Sequence, residues 1–381
     1  MKVLVLGAGQ LARMMALEAL PLNIDVEAFD VRSDQIIHPL SQQVLGEGLQ
    51  QALREADVVT AEFEHIPLSV LEPCQQSGKF FPGSTAILAG GDRRREKALL
   101  QQAEVSTAAF CLVKNRADFD AAITSLGLPL VLKSALEGYD GKGQWRIKSP
   151  EQADDVWADI AQFLKQSSKK INQGIVAEQF IPFDYEVSLV GARANDGQVK
   201  WYPLTENHHV NGVLSVSLAR AQHPLQAKAE QMFNAIAEQL NYVGVLAIEF
   251  FVVGDTLLVN EIAPRVHNSG HWTQQGSDSS QFANHIRAVC GLPLGETNLQ
   301  RPTLMVNILG IDQLPENLLA IPELHLHWYG KTARPGRKMG HINLSAEAPA
   351  QLKQRFAQLI KLLPAEHFPE LETMLPRIAD I

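Results

Sequence analysis

Glu249 and Glu261 are the first residues whose types and spacing point to chemistry. They lie in two apolar runs, Val245 to Val253 and Thr256 to Ile262, joined at Gly254-Asp255. A carboxylate turned inward from such a strand needs compensation. A two-residue turn at Gly254-Asp255 sets Glu249 opposite Asn260, whereas a three-residue loop centred on Asp255 sets it opposite Glu261. The second register is expected. Directly opposed carboxylates repel, so this pairing makes sense around a divalent cation that bridges to substrate phosphates. Two edge carboxylates facing water are the plainer alternative.

The stretch from Asn260 to His271 that follows is dense in hydrogen-bonding groups and reads as a binding loop. His267 and His271 are four apart, but Pro264 and Gly270 spoil a helix there, and no Glu sits beside the first His, so a zinc site is not expected. Lys331 to His341, with Arg334, Arg337 and Lys338 around Pro335-Gly336, is either a solvated basic turn or a site for an anionic substrate. Glu137 to Trp145 carries three glycines within six positions, with Lys142 among them. A loop of that kind folds over a polyphosphate. Lys133, closing the run Leu130-Val131-Leu132, is a snorkelling strand-end lysine or a phosphate ligand.

Near the start, Gly7-Ala8-Gly9-Gln10-Leu11-Ala12 follows a strand-like run and opens a helix. Its amides and helix dipole are suited to an anion, and with Asp30 it formally meets a dinucleotide fingerprint. An oxidoreductase using a nicotinamide cofactor is therefore a rival reading. It leaves the paired carboxylates and the glycine-rich loop unexplained.

The elements that must position these groups alternate strand and helix over the first ninety residues, as βαβ units do: Lys2 to Leu6, Gln10 to Ala19, Ile24 to Asp30 and Asp57 to Glu62. An open parallel sheet follows. From about Asp92 the pattern becomes α+β, with mainly antiparallel strands to about Ile262. Beyond Gly291-Leu292-Pro293 short strands precede a helix from Pro349 to Leu362, and the prolines of the last fifteen residues mark a tail. The 381 residues fit two or three domains. The 33 basic and 42 acidic residues give a net charge of −9, which argues against nucleic acid as a partner. No apolar run reaches a membrane span, and the opening residues carry no targeting pattern, so a cytoplasmic protein is expected. Cys74, Cys111 and Cys290 form neither a disulfide framework nor a zinc pair. Only His38 and His65 precede position 200, so ten of the twelve histidines cluster in the later chain.

Taken together, Gly9-Gln10-Leu11, Gly138 to Trp145, Glu186 to Arg193, Asn260 to Thr273 and Arg334 to His341 make the chain resemble, from about residue 1 to 365, the 5-(carboxyamino)imidazole ribonucleotide synthetases. These are ATP-grasp ligases of purine biosynthesis. The resemblance implies an N-terminal doubly wound parallel-sheet domain (1–91), a central ATP-grasp domain (92–298) and a small β-rich C-terminal domain (299–381), assembled as a homodimer. It also implies carboxylation of the amine of 5-aminoimidazole ribonucleotide by bicarbonate and ATP, through carboxyphosphate. A different ATP-grasp substrate, or a nucleotide-sensing protein that has lost turnover, is the remaining alternative.

By the same resemblance ATP is surrounded by Arg93, Lys133, Gly138, Tyr139, Asp140, Gly141, Lys142, Gly143, Gln144, Glu178, Gln179, Phe180, Ile181, Glu186, His209, Asn260 and Glu261. Magnesium is held by Glu249 and Glu261. The ribonucleotide meets Gly9, Gln10, Leu11, Glu64, Tyr139, Asp140, Arg265, Lys331 and Arg337, and its phosphate faces the turn at Gly9. Asp140, Arg265, His267 and Lys331 are the expected catalytic group, with Asp140 orienting or deprotonating the amine. Ala12 departs from the family, which usually has glycine there.

Overall fold

The computed structural model describes residues 1–136, 143–167 and 174–380. Gly138, Tyr139, Asp140, Gly141 and Lys142 therefore lie outside the described residues, while Gly143 and Gln144 lie inside. No helix among the described residues is long and apolar enough to cross a membrane.

The opening residues form a five-stranded sheet in which Lys2–Leu6 pairs in parallel with both Asp25–Asp30 and Val58–Ala61. Val3, Val5 and Leu6 are fully buried, as strands covered on both faces require. Two short antiparallel strands not foreseen from the sequence, Gln35–Ile37 and Val44–Glu47, extend one edge. Helix Gln10–Ala19 packs Leu11, Met15 and Ala19 into a core shared with Trp272, Phe282 and Ile286 of the central region.

The central region contains two antiparallel sheets. The smaller has the order Phe110–Val113, Ile175–Gln179, Leu130–Ser134, Gln144–Ile147. Helices Arg116–Leu126 and Ala153–Ser167 cover it, with Phe119 and Trp157 in ring contact at 5.2 Å. The larger has nine strands and runs from the hairpin Thr256–Ala263/Gly244–Val253 through Tyr185–Arg193, Thr205–Val210 and Val213–Ala219. It then continues without a break into the C-terminal strands Thr303–Leu309, Lys338–Ser345 and Leu324–Trp328. Strand Val199–Trp201 pairs off the main path.

The residues after helix Pro349–Leu362, read from sequence as a tail, pack closely. Phe368, Leu371, Met374 and Ile378 are buried against Leu352, Phe356 and Leu359 of that helix. Arg377 Nε donates to Glu206 Oε1 at 2.5 Å, and Arg220 binds the other oxygen of the same carboxylate.

A buried histidine joins the regions. Val245 N donates to His285 Nδ1 at 3.1 Å, which leaves Nε2 to donate to Thr60 Oγ1 at 2.8 Å. Burial holds this imidazole at about 4, so it is neutral near pH 7.

Candidate active site

Glu249 and Glu261 face each other in the register of the long hairpin. The expected pairing is therefore present, but its expected cause is not. Val253 pairs with Thr256, so the turn is the two-residue Gly254-Asp255, and Gly254 takes the positive φ of +53° that the first position of a tight hairpin favours. The register shifts between Glu249 and Phe250, where Asn260 is the extra residue of a β-bulge. Such bulges re-aim side chains next to functional sites. Here the bulge brings the carboxylates together and sends Asn260 toward Lys133, whose Nζ donates to Asn260 Oδ1 at 3.3 Å. Burial, then the charge of Glu261, raises Glu249 to about 7. Among the described residues no group of three or more His, Cys, Asp or Glu forms a metal cage.

A neighbouring strand and the loop after the hairpin supply imidazoles. His209 Nδ1 lies 2.8 Å from Glu186 Oε2. Burial works against a charged His209, but Glu186, Glu249 and Glu261 outweigh it and raise its pKa. His267 is the opposite case. Burial first, then Arg265, holds it well below the ordinary range, so its imidazole is neutral. Ser188 Oγ donates to Ser269 Oγ at 2.8 Å, and Ser269 Oγ lies 2.9 Å from His267 Nδ1. This chain makes Nδ1 an acceptor and leaves the proton on Nε2, 3.7 Å from Glu249 Oε1. Arg265 Nε forms an ion pair with Glu64 Oε1 at 2.7 Å. That contact requires close approach of helix Ser84–Gly91, and a Cβ at Gly90 would stand 2.4 Å from Pro264 Cδ.

Across the cleft Glu178 accepts Lys133 at 2.6 Å on one oxygen and Lys97 at 2.7 Å on the other. Burial alone would raise this carboxyl, but the two ammonium groups hold it at about 2. Two cations share one anion, so the cluster keeps a net positive charge. Arg93, at the first turn of helix Arg93–Gln102, donates through NH1 to Ser134 O at 3.2 Å, and its NH2 lies 3.8 Å from Glu261 Oε2. Gly143 has a φ of +65°, and a Cβ there would meet Ser134 Oγ at 2.5 Å. Gln179, Phe180 and Ile181 form the connection from the small sheet toward strand Tyr185–Arg193 of the large one, with Gln179 and Phe180 exposed.

The N-terminal turn holds a surprise. The amides of Gly9 and Ala12 donate to the two oxygens of Glu62, the latter at 2.9 Å. A protein carboxylate thus already takes the helix start that the sequence assigned to a phosphate. Burial raises the pKa of Glu62 against the pull of these amides and of Lys331. Gln10 Oε1 accepts Lys331 Nζ. Burial, then Arg337, lowers Lys331 to about 8. Arg337 NH1 donates to Thr332 O at 2.9 Å, which shapes the basic turn. Leu11 is buried in the core.

A family model for the ATP-grasp domain matches residues 98–282, one for a ribonucleotide synthetase pre-ATP-grasp domain matches 1–89, and one for a phosphoribosylaminoimidazole carboxylase C-terminal domain matches 303–355. The N5-carboxyaminoimidazole ribonucleotide synthase of Vibrio cholerae is 58% identical over 99% of this chain and 100% of its own length. The chain belongs to the N5-carboxyaminoimidazole ribonucleotide synthase family. It is an ATP-grasp ligase of purine biosynthesis. The Escherichia coli synthase is 38% identical over 96% of both chains. Among solved structures, the Thermus thermophilus synthetase superposes with a TM-score of 0.83 at 38% identity, covering 95% of this chain and 98% of that one. The Aspergillus clavatus synthase, solved with ADP and 5-aminoimidazole ribonucleotide, gives 0.81 at 29% identity over 95% and 98%.

The synthase fold also employs residues that the sequence did not single out. Glu62 is one and Lys97 another. Glu96 is a third: it is buried, raised by that burial to about 7, and accepts Ile262 N at 2.7 Å beside Glu261. Gln281 accepts His267 N at 2.9 Å and donates to His267 O at 2.6 Å, which fixes the backbone at His267. A Glu that caps a strand amide 166 residues away carries no sequence signal, but a lysine inside an amphipathic helix at a core position, as Lys97 is, was a visible one.

Proposed function

We propose that the chain joins bicarbonate to the amine of 5-aminoimidazole ribonucleotide at the expense of ATP, giving 5-(carboxyamino)imidazole ribonucleotide, ADP and phosphate. The terminal phosphoryl group of ATP passes to a bicarbonate oxygen to form carboxyphosphate. That breaks down to phosphate and carbon dioxide, and the amine nitrogen attacks the carbon as it loses a proton. The observation that carries this reading is that His267 Nε2 stands 3.7 Å from Glu249 Oε1 of the opposed pair Glu249 and Glu261, with Arg265 two residues earlier on the same segment.

Glu249 and Glu261 fit a magnesium ion: two hard oxygen ligands on adjacent strands, poor company for each other without a cation, leave further coordination to nucleotide phosphates and water. A magnesium ion held there would supply charge neutralisation during phosphoryl transfer. Lys133 and Arg93 hold the phosphates of ATP, Gln179 to Ile181 receive its base, and Glu186 with His209 close the nucleotide side. Arg265 binds the anionic bicarbonate-derived group, and neutral His267 donates to it from Nε2. Lys331, Arg337, Gln10 and Glu64 hold the ribonucleotide, and Asp140 with Tyr139 completes that side. The amides of Gly9 and Ala12 reach a ribonucleotide phosphate only where Glu62 shares or yields them.

The nicotinamide alternative loses its anchors, because Glu62 occupies the glycine turn and Asp30 accepts Arg32 N and Ser33 Oγ, both at 3.0 Å, within its own turn. We place the working domain boundaries at 91/92 and 298/299, and the enzyme in the cytoplasm as a homodimer, the assembly its resemblance implies. The test is ADP release with magnesium and ATP, with the ribonucleotide and bicarbonate each present or omitted, while the carbamate product is followed directly. Product that requires both co-substrates is expected. ATP turnover without carboxylation overturns the substrate assignment.

A further inference from the structure

Three histidines outside the metal pair stack into one buried cluster. The rings of His327 and His341 lie 4.4 Å apart and nearly parallel at 8°, and His271 stands 4.8 Å from His341. They come from the adjacent strands Leu324–Trp328 and Lys338–Ser345 and from the loop after His267. Four of their six nitrogens meet a hydrogen-bonding partner. His341 Nε2 lies 2.9 Å from Gln274 Oε1, an acceptor, so Nε2 carries the proton and Nδ1 accepts the Tyr329 hydroxyl at 2.7 Å. Gln281 Nε2 serves His271 Nδ1 at 3.0 Å, and Gln275 Oε1 faces His327 Nε2 at 3.2 Å. Burial keeps all three rings neutral, with His327 at about 4. Neutral and hydrogen-bonded, the cluster forms a support for the side chain packed on it.

What it supports is Tyr329. This side chain is buried, its hydroxyl is pinned by His341, and its ring faces the Lys331 ammonium, which lies 5.4 Å from the ring centroid. That is within cation–π range. Lys331 Nζ also reaches Gln10 Oε1 and, at 3.5 Å, Lys338 O. A lysine is a flexible four-carbon arm whose ordering costs entropy, and a face fixed beforehand removes much of that cost before substrate arrives.

We propose that Tyr329, clamped by His341, is the positioning residue for Lys331: it holds the ammonium toward Gln10, so that affinity for the ribonucleotide depends on a ring that does not touch it. This rests on the reading above that Lys331 binds the ribonucleotide.

The test is a double-mutant cycle on the full-length enzyme. KM for 5-aminoimidazole ribonucleotide is measured at saturating ATP and bicarbonate in the wild type, Tyr329→Leu, Lys331→Met and the double variant. Tyr329→Leu is expected to raise that KM about 5- to 10-fold with the KM for ATP unchanged. In the Lys331→Met background the same change should add less than about 2-fold, because residues acting as a unit are not additive. Equal rises in both backgrounds overturn the positioning role while leaving Lys331 as a ligand. No rise in Lys331→Met alone overturns both. A KM for ATP that climbs in step marks general damage and counts against the proposal. Should Tyr329→Leu not fold, Tyr329→Phe, which keeps the ring and loses the His341 clamp, enters the same cycle with an expected rise of about 2- to 3-fold.

Discussion

Glu249 stands opposite Glu261 because Asn260 is absorbed as an extra residue between the hairpin turn and the pair. A regular ladder from Gly254-Asp255 would have set Glu249 against Asn260. The bulge therefore does two things at once: it creates a two-carboxylate site and aims an amide at Lys133 across the cleft.

If the pair holds magnesium, Glu249→Gln and Glu261→Gln each lower kcat by at least about 100-fold, roughly 2.7 kcal/mol of transition-state stabilisation. Both should require more magnesium for half-maximal rate. Removing one of two like charges relieves repulsion, so thermal unfolding without metal should shift upward or stay level in both variants. A variant with normal magnesium dependence would contradict the assignment.

The raised pKa of Glu249 has a stability consequence of known sign. Burial and the facing Glu261 carboxylate push its carboxyl in the folded, metal-free protein from the ordinary 4.5 up to about 7. The folded state thus binds the proton more tightly, and this contribution is fully present below about 4.5 and lost as pH rises through about 7. The difference in unfolding free energy between wild type and Glu249→Gln, measured by denaturant titration in EDTA, should turn against the wild type across that window. A difference that does not change with pH would refute it.

Lys97 shares Glu178 with Lys133 in a nearly closed interior. Lys97→Met leaves the carboxylate with one cation and should destabilise the fold by about 2 kcal/mol, part of the usual cost of breaking a buried pair. It should also weaken ATP binding, since the cluster's surplus positive charge is gone. Unchanged stability together with unchanged KM for ATP would remove Lys97 from the site.

Glu62 caps the helix start at Gly9 and Ala12. Glu62→Ala leaves amides without an acceptor and is expected to cost about 1–3 kcal/mol in denaturant unfolding. A loss within error would mean that water replaces the carboxylate without penalty.

Much of this was legible in the sequence wherever one face of an element was apolar. The hairpin, helix Gln10–Ala19 and strands such as Leu324–Trp328 follow from periodicity alone. Strand Thr205–Val210 was not legible, because its sequence Thr-Glu-Asn-His-His-Val is polar. It is nevertheless a central strand, since Glu206 is buried against Arg220 and Arg377, Asn207 accepts from Ser217, and His209 meets Glu186. Helix Gln281–Val289 hid for the same reason, with Gln281, Asn284 and His285 turned inward. Polar partners distant in sequence replace the hydrophobic pattern at such places. The opposition of Glu249 and Glu261 was anticipated through the wrong device, a longer loop, because a bulge leaves no local signature. Glu62 was overlooked since only tertiary folding brings it to the glycine turn, 53 residues away from Gly9.

The most direct measurement of the central claim is the fate of bicarbonate oxygen. With bicarbonate labelled with oxygen-18, one turnover through carboxyphosphate transfers a labelled oxygen to inorganic phosphate. The account predicts phosphate carrying one labelled oxygen, formed only when ATP is consumed. Unlabelled phosphate from a reaction that still yields the carbamate would contradict it, because bicarbonate would then not have been phosphorylated.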